Sequence, residues 1–225
     1  MRRTPRDEAR QARTGVYRQH ILEAAEGVFA DRGFDAAKVQ EISQLAGLSM
    51  GTIYAIFPSK QDLHRAILEV RGQELLDLAR AVAARRLSPR AALRALIEVY
   101  VDYFVAHPAF LRMHLRAGTS WAMSPFPGTD EQIEKWHEIH ELQADVFRRG
   151  IADGVFVKED PGYLARLFTV MDQVLLSEWV AGGMKSGRGE LVRRLGDLVE
   201  RAFCRVPAER SRPRKISSPS QARTR

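Results

Sequence analysis

The segment VQEISQLAGLSMGTIYAIFPSKQDL, residues 39–63, predicts a helix, a tight turn, a second short helix and the capped start of a third. Its first part carries apolar residues at the spacings of three and four that form one helix face: Val39, Ile42, Leu45 and Ala46. Gly47 can adopt the left-handed conformation of a sharp turn, and the hydroxyl of Ser49 can cap the next helix. Pro58 ends that helix after about two turns. Ser59 then caps a third helix.

The second helix of this segment exposes an unusual set of residues. They carry no charge and are small or suited to contact: Met50, Gly51, Thr52, Tyr54 and Ala55. A short helix that ends abruptly can enter a major groove about 12 Å wide and present its first residues to base edges. The segment therefore predicts a helix-turn-helix that binds DNA. The alternative is an ordinary helical hairpin buried in an all-α domain.

Together with ILEAAEGVFADRGF at residues 21–34, this segment resembles the DNA-binding domain of the TetR family of bacterial transcriptional regulators. The resemblance rests on an aromatic-Gly-aromatic helix end, the AGLS turn, the GTIY helix and the FPSK stop, in that order. It covers about the first third of the chain. It implies an all-α fold, with an N-terminal three-helix domain containing the helix-turn-helix and a C-terminal helical domain for ligand binding and dimerisation.

The resemblance also implies which residues meet DNA. Four are base-facing candidates: Gln40, Met50, Gly51 and Tyr54. Three are expected on phosphate: Ser49, Thr52 and Lys60. Gln40 carries the amide suited to adenine.

Two positions depart from the family pattern. Lys38 stands where Thr is most common, and could meet a phosphate. Ile56 stands where His or Tyr is usual. It cannot donate a hydrogen bond, so either it contacts a thymine methyl or this DNA contact is absent.

The charge distribution suggests four segments. The formal net charge is +7. Residues 1–20 hold six Arg against two acidic residues, and residues 206–225 hold five Arg and one Lys against one Glu. We predict a flexible basic arm at 1–16, the DNA-binding domain at 17–63, the ligand-binding and dimerisation domain at 64–205 and a disordered basic tail at 206–225. The arm either reaches phosphates or the minor groove, or is a solvated end; for the tail we favour the solvated end.

Other sequence features bear on compartment and chemistry. The single Cys204 excludes an internal disulfide, no secretory leader is recognisable, and no apolar run approaches the roughly 18 residues of a membrane span. We therefore expect a cytoplasmic protein with no membrane partner. There is no phosphate-binding glycine loop and no convincing nucleophile with a base. We expect no enzymatic activity and no cofactor.

The C-terminal two thirds read as helices with their own caps. Helix starts are predicted at Ser88-Pro89, Thr129 and Asp160, and a last helix at 190–204. The helix after Asp160 is apolar on more than one side, which indicates burial on both sides. One side can pack on this chain and the other on a second copy. We therefore expect a homodimer, whose two heads read half-sites one helical turn or a multiple apart.

A ligand site is expected in this second part. Its candidates are aromatic, sulfur-containing or polar residues that could line a mostly apolar pocket: Tyr100, Trp121, Met123, Phe126, Trp136, His140 and Met171. Ordinary core packing is the alternative for the apolar ones. His114, His137 and His140 also invite a metal site, but helix spacing alone brings residues three apart onto one face, so we expect structural histidines.

The function that fits these features is a homodimeric regulator, most simply a repressor, that binds a palindromic double-stranded DNA operator and is released by a small lipophilic effector. Two alternatives remain open. One is a non-specific architectural DNA binder, indicated by the basic ends. The other is a helical metal-binding module or enzyme that uses the region of His114, His137 and His140.

Overall fold

The computed structural model describes residues 4–118, 120 and 129–205, and in these ranges every regular element is an α-helix. The helices are α1 (Pro5–Arg32), α2 (Val39–Ala46), α3 (Met50–Ile56), α4 (Lys60–Ala84), α5 (Pro89–Ala106), α6 (Pro108–Arg116), α7 (Asp130–Ala152), α8 (Pro161–Ala181) and α9 (Arg188–Phe203). The all-α prediction is confirmed. The tail at 206–225 lies outside the described residues.

Helix α1 begins at Pro5, within the segment predicted as a flexible basic arm at residues 1–16. Thr4 and Asp7 form a reciprocal capping box, and Pro5 occupies the first helical turn. Residues 11–16 are all exposed. This part of α1 therefore has no buried face, and an apolar pattern could not reveal it. A helix runs across the predicted domain limit at residue 17.

Helices α1, α2 and α3 form the N-terminal head. Gly47 turns the chain between α2 and α3 with φ of 64°, in the left-handed region, and its N–H bonds to carbonyls at the end of α2. Ser49 caps α3 as predicted, with its hydroxyl accepting the Thr52 N–H at 3.1 Å. Ile42, Ile53 and Phe57 are buried in one core with α1. The sequence thus produces the helix-turn-helix geometry through one glycine, one cap and three apolar anchors.

Ser59 caps α4 as predicted, together with Asp62. Ser59 Oγ accepts the Asp62 N–H at 3.1 Å, but the Asp62 carboxylate accepts from the Ser59 hydroxyl at 2.6 Å. The two side chains therefore bond to each other.

Helices α4 to α9 form the second part. Helix α7 packs between α4 and α8, and α9 packs against α5 and α8. Thr129 caps α7 with a full capping box and Asp160 caps α8, whereas the Ser88 side chain makes no capping hydrogen bond to α5. Helix α4 joins the two parts, because it also packs against α1.

The segment after α7 closes this part without forming a strand. Phe156 makes an isolated antiparallel bridge with Cys204, and its fully buried ring lies directly over Gly150. The N–H of Val157 donates to the carbonyl of Phe203 at 2.9 Å. The end of α9 is thereby tied to the end of α7. Across the described ranges, no helix combines the length and apolarity that crossing a membrane requires.

Candidate DNA-binding surface and effector cavity

Helix α3 presents one face to solvent and buries the other. Ile53 is 1% exposed, whereas Met50 and Tyr54 are 38% and 45% exposed. Gly51 and Ala55 are exposed beside them. The four form a short surface without charge, which we call the α3 face. Large apolar groups held in water by a rigid helix are typical of a contact surface.

The neighbouring α2 contributes to the same side of the head. Gln40 is exposed in its first turn, and exposed Lys38 occupies the N-cap position with no capping hydrogen bond from its side chain. Leu45, which its spacing assigned to the buried face, is instead 68% exposed. Eight residues make too short a helix for spacing to fix the edge of the apolar stripe, and Ile42 alone is fully buried there.

Lys60, predicted to contact a phosphate, is hydrogen-bonded within the chain. Its ammonium donates to the carbonyls of Phe34, Asp35 and Ala37 at 2.7, 3.1 and 3.2 Å, and lies 4.6 Å from the centroid of the Phe34 ring. An ammonium has three N–H donors. A phosphate contact would therefore require one of these bonds to break. The observed role of Lys60 is to tie the start of α4 to the α1–α2 loop.

The other predicted phosphate contacts lie at the start of α3. Ser49 is exposed and Thr52 half-buried, and their hydroxyl oxygens lie 2.9 Å apart. Ser49 Oγ already accepts the Thr52 N–H. Ile56 is partly buried against the core. Its side chain therefore packs mainly within the head.

A small cavity lies between α4, α5, α7 and α8. Its volume is about 30 Å³. Its lining is largely aromatic and aliphatic, with a few polar groups: Leu75, Tyr100, Phe104, Trp136, Ile139, His140, Gln143, Phe168, Thr169 and Asp172. Since a water molecule requires roughly 10 to 15 Å³ by this kind of measure, the space holds about two waters. Any larger ligand has to push the helices apart.

Hydrogen bonds organise part of the cavity wall. The Gln143 amide donates to Tyr100 Oη at 3.3 Å, and its carbonyl oxygen accepts from Thr169 Oγ1 at 3.1 Å. Burial raises the pKa of Tyr100. The phenol is therefore neutral at physiological pH.

Asp172 differs from these groups. It is 5% exposed, and its Oδ1 is buried with no hydrogen-bond partner among the described residues. Burial raises the pKa of this carboxyl to about 7. A buried carboxylate without a partner is costly, and such groups are found at functional sites. Asp172 therefore makes this cavity a candidate binding site.

The predicted ligand residues fall into three groups. Tyr100, Trp136 and His140 line the cavity. Met171 is half-buried and packs against the core without lining the cavity. Trp121, Met123 and Phe126 lie outside the described residues. Gln143, Thr169 and Asp172 also line the cavity and were not predicted. Their signal in the sequence is a polar residue on the apolar face of a helix.

The three histidines that were considered as metal ligands lie in different environments. His137 is exposed, His140 lines the cavity and His114 is buried beside the Phe110 ring, with 6.5 Å between ring centroids. Burial lowers the pKa of His140. Throughout the described ranges, no three His, Cys, Asp or Glu side chains are grouped to hold a metal ion.

A partly buried ion-pair network connects the head to the second part. Arg71 on α4 makes two hydrogen bonds to the Glu26 carboxylate on α1, at 2.8 and 3.2 Å, and a third to Glu74 at 3.0 Å. Tyr103 on α5 donates to the same Glu74 oxygen at 2.6 Å. Leu75, which lines the cavity, follows Glu74 on α4. The cavity wall and the contact with α1 are thus one helical turn apart.

Comparison with known proteins shows which proteins this chain resembles. The family model for bacterial regulatory proteins of the tetR family matches residues 21–67. The chain is 36% identical over 105 residues to the HTH-type transcriptional activator FasR of Mycolicibacterium smegmatis, covering 47% of this chain and 44% of FasR. It therefore spans less than half the length of that relative.

A longer match is the HTH-type transcriptional repressor KstR2 of Rhodococcus jostii. The two chains are 30% identical over 140 residues, which cover 62% of this chain and 67% of KstR2.

Solved structures share the fold. The TetR family regulator PfmR of Thermus thermophilus is 26% identical with a TM-score of 0.68, over 81% of this chain and 97% of PfmR. The regulator FadR of Bacillus subtilis, solved in complex with stearoyl-CoA, is 18% identical with a TM-score of 0.64, over 80% and 96%. The latter likeness concerns the fold alone. With the N-terminal motif, the helical arrangement of the described residues and the match to KstR2 together, the chain belongs to the TetR family of bacterial regulatory proteins.

Proposed function

We propose that this chain is a DNA-binding transcriptional regulator that acts as a homodimer on a palindromic operator, with a small effector that binds in the α4–α8 cavity and releases the DNA. The observation that carries the proposal is the α3 face. Met50 and Tyr54 project into solvent from a short helix anchored by Ile53 and Phe57.

DNA contacts follow from this placement. Gln40, Met50, Gly51 and Tyr54 are the base-facing candidates. Their side chains or backbone are exposed on α2 and α3. Lys38, Ser49 and Thr52 are the phosphate candidates beside them.

The dimer is supported by an exposed apolar strip on α8 and α9. Val170 and Val174 on α8 are 37% and 57% exposed, and Leu198 on α9 is 38% exposed. The opposite side of α8 is buried in this chain's own core through Leu164 and Phe168. Two copies of α8 and α9 can therefore form a four-helix contact related by a two-fold axis. Two α3 faces would then meet successive turns of DNA.

The release mechanism follows from the position of α4. An effector that enlarges the 30 Å³ cavity presses on Leu75, while Arg71 on the same helix holds Glu26 of the head. Ligand binding and DNA binding are then linked through one helix. A coupling of about 1 to 3 kcal/mol would change operator affinity roughly 5- to 150-fold.

The direction of regulation is proposed as repression. KstR2 is named a repressor and FasR an activator, so the relatives include both. Repression is the simplest outcome when the bound effector weakens DNA binding. FadR of Bacillus subtilis was solved with stearoyl-CoA, which supports an effector with a substantial apolar part.

The test is a selection from random duplex DNA with the purified protein at near-physiological salt. We expect a palindrome with half-sites one helical turn or a multiple apart. Tyr54→Ala should reduce affinity for this sequence while leaving the fold intact. Gln40→Ala should relax the preference at one base pair by about 1 to 3 kcal/mol.

The matched control is Gln73→Ala. This glutamine lies on α4 beyond the head, where its amide donates to Asp77 at 2.9 Å. The Gln73→Ala variant should bind DNA like the parent chain. If the protein binds DNA but no sequence is enriched, the architectural alternative is favoured. If Tyr54→Ala and Gln40→Ala both bind like the parent chain, the α3 face is not the surface that contacts the bases.

A further inference from the structure

The Oδ1 atom of Asp172, buried without a hydrogen-bond partner among the described residues, points to the chemical class of the effector. We propose that the cavity takes an organic cation, a protonated amine on an apolar body, whose N–H groups bind the Asp172 carboxylate. This rests on the effector role proposed above, and it adds a positive charge to the expected small lipophilic effector.

The first argument is charge. Asp172 Oδ1 is buried without a hydrogen-bond partner among the described residues, and the described lining contains no Lys or Arg. Burial lowers the pKa of His140, so this imidazole supplies no positive charge near neutral pH. The raised pKa of Tyr100 keeps its phenol neutral. A ligand ammonium supplies both the donor and the charge that the site lacks.

The second argument is the wall. Phe104, Trp136 and Phe168 line the same cavity. Aromatic faces attract cations, most strongly where water is excluded. They also provide the apolar contact that the body of an alkylamine needs. An anionic ligand would meet the Asp172 carboxylate with no lining cation to offset it. The lining therefore favours an amine over a fatty acid.

The third argument concerns size. A cavity for about two waters admits an alkyl chain only by separating α4 from α7 and α8. The ammonium end fixes one end of the ligand at Asp172, so that the chain lies between the helices. Binding at the carboxylate is thus tied to the displacement of α4 that release of DNA requires.

Three probes of equal length separate the possibilities: hexylammonium, 1-hexanol and hexanoate. Calorimetric titration at pH 8, where Asp172 is ionised, should show hexylammonium binding at least about tenfold more tightly than the other two. Asp172→Asn should reduce hexylammonium to the level of hexanol. Asp197→Asn, which changes an exposed carboxylate on α9, should keep the full preference.

The proposal is overturned if hexylammonium shows no saturable binding, if hexanol or hexanoate binds equally well, or if Asp172→Asn keeps the preference. Operator affinity, measured in the same samples, separates this proposal from the regulatory one. Binding through Asp172 without any change in operator affinity would support the ligand class and contradict release. If hexanoate releases the DNA and hexylammonium does not, release is supported and the proposed ligand class is contradicted.

Discussion

Replacing Asp172 with Asn should stabilise the protein, and the gain should grow with pH. In the folded state burial raises the pKa of this carboxyl from the model-compound value of 3.8 to about 7. The folded protein therefore holds this proton more tightly than the unfolded chain does. The stability that the protonated group contributes is complete below pH 4, and is lost as pH rises to about 7.

The magnitude follows from that difference. About three pKa units at 1.36 kcal/mol each give a penalty of about 4 kcal/mol once the group is ionised. Asn has nearly the same shape and cannot ionise. Because part of the loss has already occurred at pH 5, the advantage of Asp172→Asn should grow by about 3 kcal/mol between pH 5 and pH 8.

Urea denaturation of both proteins at these two pH values measures the effect. His140 also lines the cavity, but it is present in both proteins, so its own contribution cancels in the difference. Asp197→Asn, on the exposed surface of α9, is the control and should show no such gain. If the stability difference between Asp172→Asn and its parent is the same at both pH values, the carboxyl is solvated and the reasoning fails.

Three further substitutions test the packing. Lys60→Met keeps the aliphatic stem but removes three donors, and should cost about 1 to 3 kcal/mol of unfolding free energy; no loss would mean that the carbonyls find other partners. Glu26→Leu leaves Arg71 buried without its main partner and should cost about 3 to 5 kcal/mol, part of which adding Arg71→Met should recover. Gly150→Ala puts a Cβ 2.0 Å from the Phe156 ring and should destabilise by about 1 to 3 kcal/mol or more, with Phe156→Leu relieving the clash; a neutral result on thermal unfolding would contradict the close approach.

The head was predictable from sequence because its signals are local. Gly47, Ser49 and Pro58 act on neighbouring residues, so their effect can be read from the chain itself. The helical start of α1, by contrast, was not predicted. The capping pair Thr4 and Asp7 is local too, but residues 11–16 are all exposed and offer no apolar face from which a helix could be predicted.

The cavity was only partly predictable because its lining comes from four helices. Trp136 and His140 were found through their chemistry. Asp172 was not predicted because its relevance to ligand binding depends on its burial. Tertiary packing determines that burial. Lys60 illustrates the same limit, since the three carbonyls that hold it come 23 to 26 residues earlier in the chain.

In the proposed mechanism, helix α4 would transmit a displacement from the cavity to the head. Leu75 and Lys60 are 15 positions apart, a distance of about 22 Å at 1.5 Å per residue. A tilt of roughly 5° about Leu75 therefore moves the Lys60 end by about 2 Å. Because Lys60 donates hydrogen bonds to carbonyls of the α1–α2 loop, the head would move with this end of α4. In a two-fold pair the displacements add, so a few degrees of rotation at the cavity would alter the spacing of the two reading helices by up to about 4 Å, more than one base-pair step of 3.4 Å.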